Sequence, residues 1–175
     1  MADLDIQEEL ENVREQLLVA IEALPDEALV EPGVVGEWAV ADVLANLTAW
    51  EAELVTGLMQ IEAGRKPTRL LQTLAAPDSF NVTCYTENKA RDLDAIFDDF
   101  QRVRVELEGW LESFKLKDLQ TVGKYKWLPG RTLAQLIAQA SYEREAAYIP
   151  ALAQFAASWR PAEVIDLLSI PVING

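Results

Sequence analysis

Residues 40–61 read VADVLANLTAWEAELVTGLMQI, and this stretch decides the fold class. Its apolar side chains return every three or four residues, which is the spacing of one face of an α-helix. Three further stretches, at about 6–24, 93–114 and 133–155, carry the same period, and no stretch shows the sustained alternation of a strand. The sequence therefore predicts an all-α protein with four main helices, in one domain that spans residues 1–175.

The boundaries between these stretches agree with four helices. Thr132 precedes the fourth stretch and Gln135 follows three residues later, which is the pattern of a capping box. The segment 64–92 is too long for a tight turn, so we expect a crossover with one or two short helical pieces. Such a crossover lets the second and third helices lie other than as adjacent up-down neighbours. Within it, Asn81 is expected to cap a helix.

Composition limits the classes of partner. Lys and Arg number 15 against 29 Asp and Glu, so the formal charge is −14, which disfavours nucleic-acid binding. No apolar run reaches the roughly 20 residues that cross a bilayer, and the N-terminus lacks the pattern of a secretory signal. We therefore expect a cytoplasmic protein with no membrane partner. One cysteine, Cys84, and no histidine argue against a zinc site or a Cys–His catalytic pair.

Two charges fall on the apolar sides of helices. At 100° per residue, Glu51 lies about 20° from Val40 in the second helix, and Arg144 lies about 20° from Leu133 in the fourth. Because an unpaired buried charge is costly, we hypothesise that Glu51 and Arg144 form an ion pair inside the bundle. The alternative is that the helices are rotated slightly and Arg144 extends to water. Pro150 predicts a kink in the fourth helix.

Three segments resemble the DinB/YfiT-like superfamily of four-helix bundles, and most closely its ClbS/DfsB-type subgroup. They are GVVGEWAVADVLANLTAWEAEL (33–54), DSFN (78–81) and LPGRTLAQLIAQASYEREAAY (128–148). The first resembles the second-helix signature, the second the crossover, and the third the fourth helix. The resemblance covers the chain to about residue 158 and implies the same bundle fold.

The resemblance also implies where a metal would lie. Many members of the superfamily hold a metal on three histidines, and the matching positions here are Asn46, Arg144 and Tyr148. An arginine supplies a fixed positive charge but no metal ligand. We therefore expect no metal and no cofactor. At Ala39 the family commonly has a serine cap, which Glu37 or Asp42 would replace in this chain.

Three functional hypotheses follow. In the first, a small-molecule-binding or stress-associated protein holds an anionic or carbonyl-bearing ligand on Asn46, Trp50, Glu51, Arg144 and Tyr148. In the second, which the ClbS-type resemblance implies, a metal-independent hydrolase acts on a small electrophilic metabolite, with Glu51 as base and Tyr148 as donor. In the third, the polar cluster is a structural remnant in a homodimer. We expect a homodimer in any case, and the apolar tail 161–175 is expected to dock on the bundle or on a partner subunit.

Overall fold

The structure is a computed structural model and describes residues 5–162, so all but two residues of the predicted docking tail lie outside it. The described residues confirm the all-α class: they form no strand beyond an isolated bridge between Val35 and Trp38. Within this range, no helix is both long enough and apolar enough to cross a membrane. In chain order the helices are α1 (Ile6–Ile21), α2 (Asp26–Leu29), α3 (Val40–Glu62), α4 (Thr68–Ala75), α5 (Pro77–Asn88), α6 (Leu93–Leu111), α7 (Leu116–Gln120), α8 (Leu133–Ala140) and α9 (Tyr142–Ser158).

The four predicted stretches form the bundle as α1, α3, α6 and the pair α8–α9. α1 packs along α9, and α3 packs along α6. Two clusters of buried apolar residues fill the interior. The first cluster takes the start of α1, the ends of α3 and α6, and α8, through residues such as Leu10, Leu58, Leu107 and Leu133. The second takes the end of α1, the starts of α3 and α6, and α9, through residues such as Leu17, Leu44, Phe100 and Leu152.

The composition of these clusters gives the direction of each helix. Because α3 and α6 have their starts in one cluster and their ends in the other, they run parallel. α1 runs opposite to both, and so does α8–α9. The prediction that the second and third helices are not up-down neighbours is confirmed, and the crossover between them holds α4 and α5, as expected.

Local signals fix the helix starts. At α8, the Thr132 hydroxyl accepts from the Gln135 amide at 3.1 Å, and the Gln135 side chain accepts from the Thr132 amide at 3.0 Å, which confirms the capping box. At α3, the Asp42 carboxylate accepts from the Ala39 amide at 2.8 Å. The N-cap residue of α3, Ala39, has no polar side chain, and Asp42 provides the side-chain hydrogen bond at this end of the helix.

The fourth stretch is interrupted, but at Ser141 and not at Pro150. Ser141 has φ −129° and ψ −103°, so α8 ends before it and α9 begins after it. α9 continues through Pro150, where the sequence predicts a kink. This break lies three residues before Arg144 and sets which side chains of α9 face the interior.

Candidate functional site

Four charged side chains, one from each main helix, lie between the two apolar clusters: Arg14 of α1, Glu51 of α3, Arg104 of α6 and Glu145 of α9. We call this set the charge layer. Nη2 of Arg104 donates to Glu51 Oε1 at 2.5 Å and to Glu145 Oε2 at 2.8 Å, and its Nε donates to Glu51 Oε1 at 2.9 Å. Nε of Arg14 donates to Glu145 Oε1 at 2.6 Å. The layer therefore balances two positive charges against two negative ones inside the bundle.

Burial and charge oppose one another within the layer. Burial raises the pKa of Glu51, and the nearby guanidinium groups of Arg104 and Arg14 act in the other direction without cancelling it. For Arg104, burial alone would lower the pKa, but Glu51 and Glu145 outweigh it and raise the pKa. Glu51 Oε2 is buried and has no hydrogen-bond partner among the described residues. The second oxygen of this carboxylate is thus left unsatisfied although the first accepts from two arginines.

The predicted Glu51–Arg144 pair is wrong. Glu51 faces the interior, as predicted, with 2 % of its surface exposed, but its ion pairs are with Arg104 and Arg14. The carboxylate of α9 that enters the layer is Glu145, the neighbour of Arg144. Glu51 therefore forms neither a hydrogen bond nor an ion pair with Arg144, and it joins the charge layer and not the other predicted ligand-binding residues.

The break at Ser141 explains this exchange. The helical projection from Leu133 assumes one unbroken helix. In that projection the buried residues of α9 lie roughly 140° from the buried side of α8; they are Tyr142, Glu145 and Leu152. The change at Ser141 turns Glu145 inward. Arg144, one residue earlier, is turned away from the core centre and towards Trp50.

Arg144 stacks on an aromatic ring. Its guanidinium carbon lies 3.4 Å from the centroid of the Trp50 ring, within the range of a cation–π interaction. Its Nε is buried and has no hydrogen-bond partner among the described residues. Burial lowers the pKa of Arg144, and the nearby Tyr148 opposes this only in part. The guanidinium is thus held in place by a ring and not by a carboxylate.

Polar side chains from three helices surround this cation. The side-chain oxygen Oδ1 of Asn81 accepts from Asn46 Nδ2 and from Trp50 Nε1, both at 2.9 Å, and the Tyr148 hydroxyl donates to Asn46 Oδ1 at 3.3 Å. Asn81 lies inside α5 and is not the expected helix cap. We call Asn46, Trp50, Asn81, Arg144 and Tyr148 the Arg144 site. Four of the five predicted ligand-binding residues come together there, and Glu51 is the exception.

Aromatic side chains flank the Arg144 site. The rings of Trp38 and Tyr85 stack with centroids 5.8 Å apart, and Trp38 also packs against Tyr148 at 6.4 Å. On the other side, Phe80 meets Trp50 edge to face at 4.7 Å. These contacts fix the orientation of Trp50 and Tyr148 and leave Trp38, Tyr85 and Tyr148 only half-buried.

A family model of the DinB superfamily matches residues 9–145. The chain belongs to the DinB superfamily. The bundle is also similar to the crystal structure of an uncharacterised protein from Escherichia coli UTI89, with a TM-score of 0.71 and 14% sequence identity over 89% of this chain and 92% of that chain. At that identity the likeness shows the fold alone. No curated protein matches the sequence.

The Arg144 site contains all three positions where the resemblance places the histidines of metal-holding DinB proteins. Asn46, Arg144 and Tyr148 offer an amide, a guanidinium and a phenol at these positions. Within residues 5–162, Cys, Asp and Glu side chains form no group of three or more that could hold a metal ion, and the chain has no histidine.

Sequence reasoning missed Arg14, Arg104, Glu145 and Asn81. A signal for Arg104 was present, since it lies about 20° from Leu93 on the apolar side of its own helix. Arg14 lies at the edge of the apolar side of the first helix. Applying the same projection to all four helices marks Arg104 as inward and Arg14 as an edge position, but it does not give the carboxylates that they bind.

Proposed function

We propose that this DinB-superfamily protein binds an anionic or carbonyl-bearing small molecule at the Arg144 site, and that it has lost the three-histidine metal site of its metal-holding relatives. The observation that carries the proposal is the state of Arg144. Its guanidinium lies flat on Trp50, its Nε is buried without a partner, and no carboxylate of the described residues pairs with it.

The charge layer supports this function because it removes the competing acids. Glu51 and Glu145 are the buried carboxylates nearest in sequence to Trp50 and Arg144, and both are engaged by Arg14 and Arg104. Arg144 therefore keeps its hydrogen-bond donors for a ligand. A guanidinium held rigidly by a ring presents a planar set of donors that matches a carboxylate, a phosphate or a polarised carbonyl.

The residues of the Arg144 site do not fit a transition metal. Zinc and its neighbours favour imidazole and thiolate ligands, which are absent at these positions. The Asn46 side chain is already occupied by Asn81 and Tyr148, and the charge of Arg144 repels a dication. These chemical properties support loss of the metal site and agree with the resemblance to the ClbS/DfsB-type subgroup, which we also propose for this chain.

Ligand binding is tested by isothermal titration calorimetry, in which the purified protein is titrated separately with benzoate, inorganic phosphate and N-methylacetamide. We expect at least one of these probes to bind the wild type and to bind Arg144→Met about tenfold more weakly or not at all, because a charge-assisted contact is worth roughly 1.5–3 kcal/mol.

The matched control is Arg102→Met, which removes one positive charge from an exposed position of α6. Arg102→Met should bind like the wild type. Equal loss in both variants would show that only net charge matters, and failure of all three probes to bind the wild type would reject the proposal. Stoichiometric zinc or nickel in the purified protein would reject the loss of the metal site.

A metal-independent hydrolase is the second candidate, and the unsatisfied Oε2 of Glu51 favours it. Burial raises the pKa of this carboxyl towards the range that suits a general base. Glu51 belongs to the charge layer, however, and Tyr148 to the Arg144 site. The two side chains would therefore have to approach the substrate from different sides. Turnover of an epoxide probe such as styrene oxide that Glu51→Gln abolishes, and Arg102→Met does not, would support this candidate.

A further inference from the structure

A cleft separates α1 from α6 on the side of the bundle away from α3 and α9. α1 packs mainly along α9 and α6 mainly along α3, which leaves a space of about 550 Å³ between them. Its walls are largely apolar: Leu18 is 43 % exposed there, and Ile21, Leu24, Leu29 and Phe97 also line it. The volume lies within the roughly 300–1,000 Å³ that is usual for a small-molecule site.

The floor of the cleft is formed by the two arginines of the charge layer. Arg14 and Arg104 line it, but both are held by Glu51 and Glu145. Since two positive charges meet two negative ones, the floor presents no net charge. The cleft is therefore unlike the Arg144 site, where the guanidinium pairs with no carboxylate in the part of the chain that the structure describes.

The other ionisable side chains lining the cleft are acidic. Glu11 and Glu15 on α1, Glu22 directly after α1 and Glu108 on α6 line it, and the first three are exposed. The protein as a whole carries a formal charge of −14, which adds to the negative potential at this rim. Apolar walls below carboxylates complement a molecule that has a positive end and an apolar body.

We propose that the α1/α6 cleft binds a small organic cation with an apolar body, at a site separate from the Arg144 site. The apolar body lies against Leu18, Leu24 and Leu29, and the cationic group lies at the rim near Glu11 and Glu15. Phe97 lines the same apolar part of the cleft and adds an aromatic face against which the apolar body packs. This inference does not depend on the proposed function, since it uses none of the residues of the Arg144 site.

The test uses octyltrimethylammonium as the probe, with octanoate and octanol as probes of matched chain length. Binding to the full chain is measured by calorimetry and located by ¹H–¹⁵N chemical shifts. We expect the cation to bind more tightly than octanol, octanoate to bind least, and the shifts to concentrate in α1 and α6. Binding should weaken as salt rises from about 0.02 M to about 0.5 M, because rim charges are exposed and therefore screened.

Glu11→Gln/Glu15→Gln should bind the cation roughly fivefold more weakly, as expected for the loss of two exposed charge contacts. The control Glu62→Gln/Glu87→Gln removes two exposed carboxylates from α3 and α5 and should bind like the wild type. Leu18→Lys should abolish binding.

Three results would overturn the proposal. Octanoate binding as tightly as the cation would show that charge does not select the ligand. Absence of cation binding to the full chain would show that the cleft is closed to such molecules. A dimer that Leu18→Lys disrupts, with no bound cation, would show that a second copy of the chain occupies the cleft.

Discussion

Replacing Arg104 with methionine removes the central cation of the charge layer. The substitution keeps a long apolar side chain but deletes the donors to Glu51, to Glu145 and to the Leu10 carbonyl oxygen, the last at 3.0 Å. Arg14 remains, with Nη2 at 3.3 Å from Glu51 Oε1. One carboxylate charge of the layer is then left in excess inside the bundle.

The magnitude follows from what Glu51 can do without Arg104. Removing one partner of a buried ion pair typically costs about 3–5 kcal/mol. The carboxyl can limit this cost by taking up a proton, and doing so at pH 7 from an ordinary pKa near 4.3 costs about 4 kcal/mol at about 1.36 kcal/mol per unit. We therefore expect the free energy of unfolding of Arg104→Met to fall by about 3–4 kcal/mol at pH 7.

The pH dependence has a definite sign. Without Arg104 the pKa of Glu51 in the folded state is raised further by burial. A carboxyl with a raised folded pKa contributes stability below its unfolded pKa and loses that contribution as pH rises through the folded pKa. At pH 5 the proton costs only about 1 kcal/mol, so the deficit of Arg104→Met should shrink by roughly 2–3 kcal/mol.

The assay is urea unfolding followed by far-UV circular dichroism at pH 7 and pH 5. Arg102→Met is the control, because Arg102 is exposed on the same helix and its pair with Asp99 should contribute less than about 0.5 kcal/mol. A deficit below about 1 kcal/mol at pH 7, or one that is the same at both pH values, would refute the account of the charge layer.

Three further predictions test other contacts. Arg144→Met and Glu51→Leu should change the free energy of unfolding additively, within about 0.5 kcal/mol, because the two side chains form no hydrogen bond or ion pair with each other; a larger coupling in urea unfolding would restore the ion pair that the structure rejects. Gly57→Ala should lower stability by about 0.5–2 kcal/mol, since an added Cβ would lie 2.6 Å from Leu70 Cδ2 and the buried Leu70 must shift, at a cost larger than the roughly 0.5–1 kcal/mol gained by removing a glycine from the helix; an unchanged melting temperature would contradict this packing. Cys84 should react slowly with iodoacetamide at pH 8 and faster only as pH approaches 11, because burial and two nearby carboxylates raise its pKa to about 11; rapid alkylation at pH 8 in the folded protein would contradict its burial.

The bundle could be predicted from the sequence because its helices are amphipathic and their starts are marked. The period of residues 40–61 identifies α3 without reference to any partner, and the Thr132–Gln135 pair marks the start of α8. Both signals act within a few residues of the chain. The crossover at 64–92 was likewise apparent from its length and prolines.

The partners of the inward charges could not be predicted in the same way. Glu51 was found because it lies on the apolar side of an unbroken helix. Arg144 was placed wrongly because its angle was counted through Ser141, where the backbone leaves helical geometry. The sequence at Ser141 does not predict such a break, because serine is tolerated within helices. The inward orientation of Glu145 therefore depends on tertiary packing.

The Arg144 site was predicted in part for a similar reason. The resemblance picked out the positions of Asn46, Arg144 and Tyr148, but Asn81 enters from α5, whose path the sequence leaves open. The side-chain oxygen of Asn81 accepts hydrogen bonds from Asn46 and Trp50, which lie 35 and 31 residues earlier in the chain. Such long-range polar contacts follow from the fold and not from local pattern.

The most direct test of the central claim is a ¹H–¹⁵N spectrum of the arginine Nε–H groups during titration with benzoate. Arg144→Lys, Arg104→Lys and Arg14→Lys assign the three resonances. Because Arg14 and Arg104 are bound by Glu51 and Glu145, whereas Arg144 has no carboxylate partner within residues 5–162, we expect only the Arg144 resonance of the three to move. Movement of the Arg104 or Arg14 resonance, with that of Arg144 unchanged, would contradict the account.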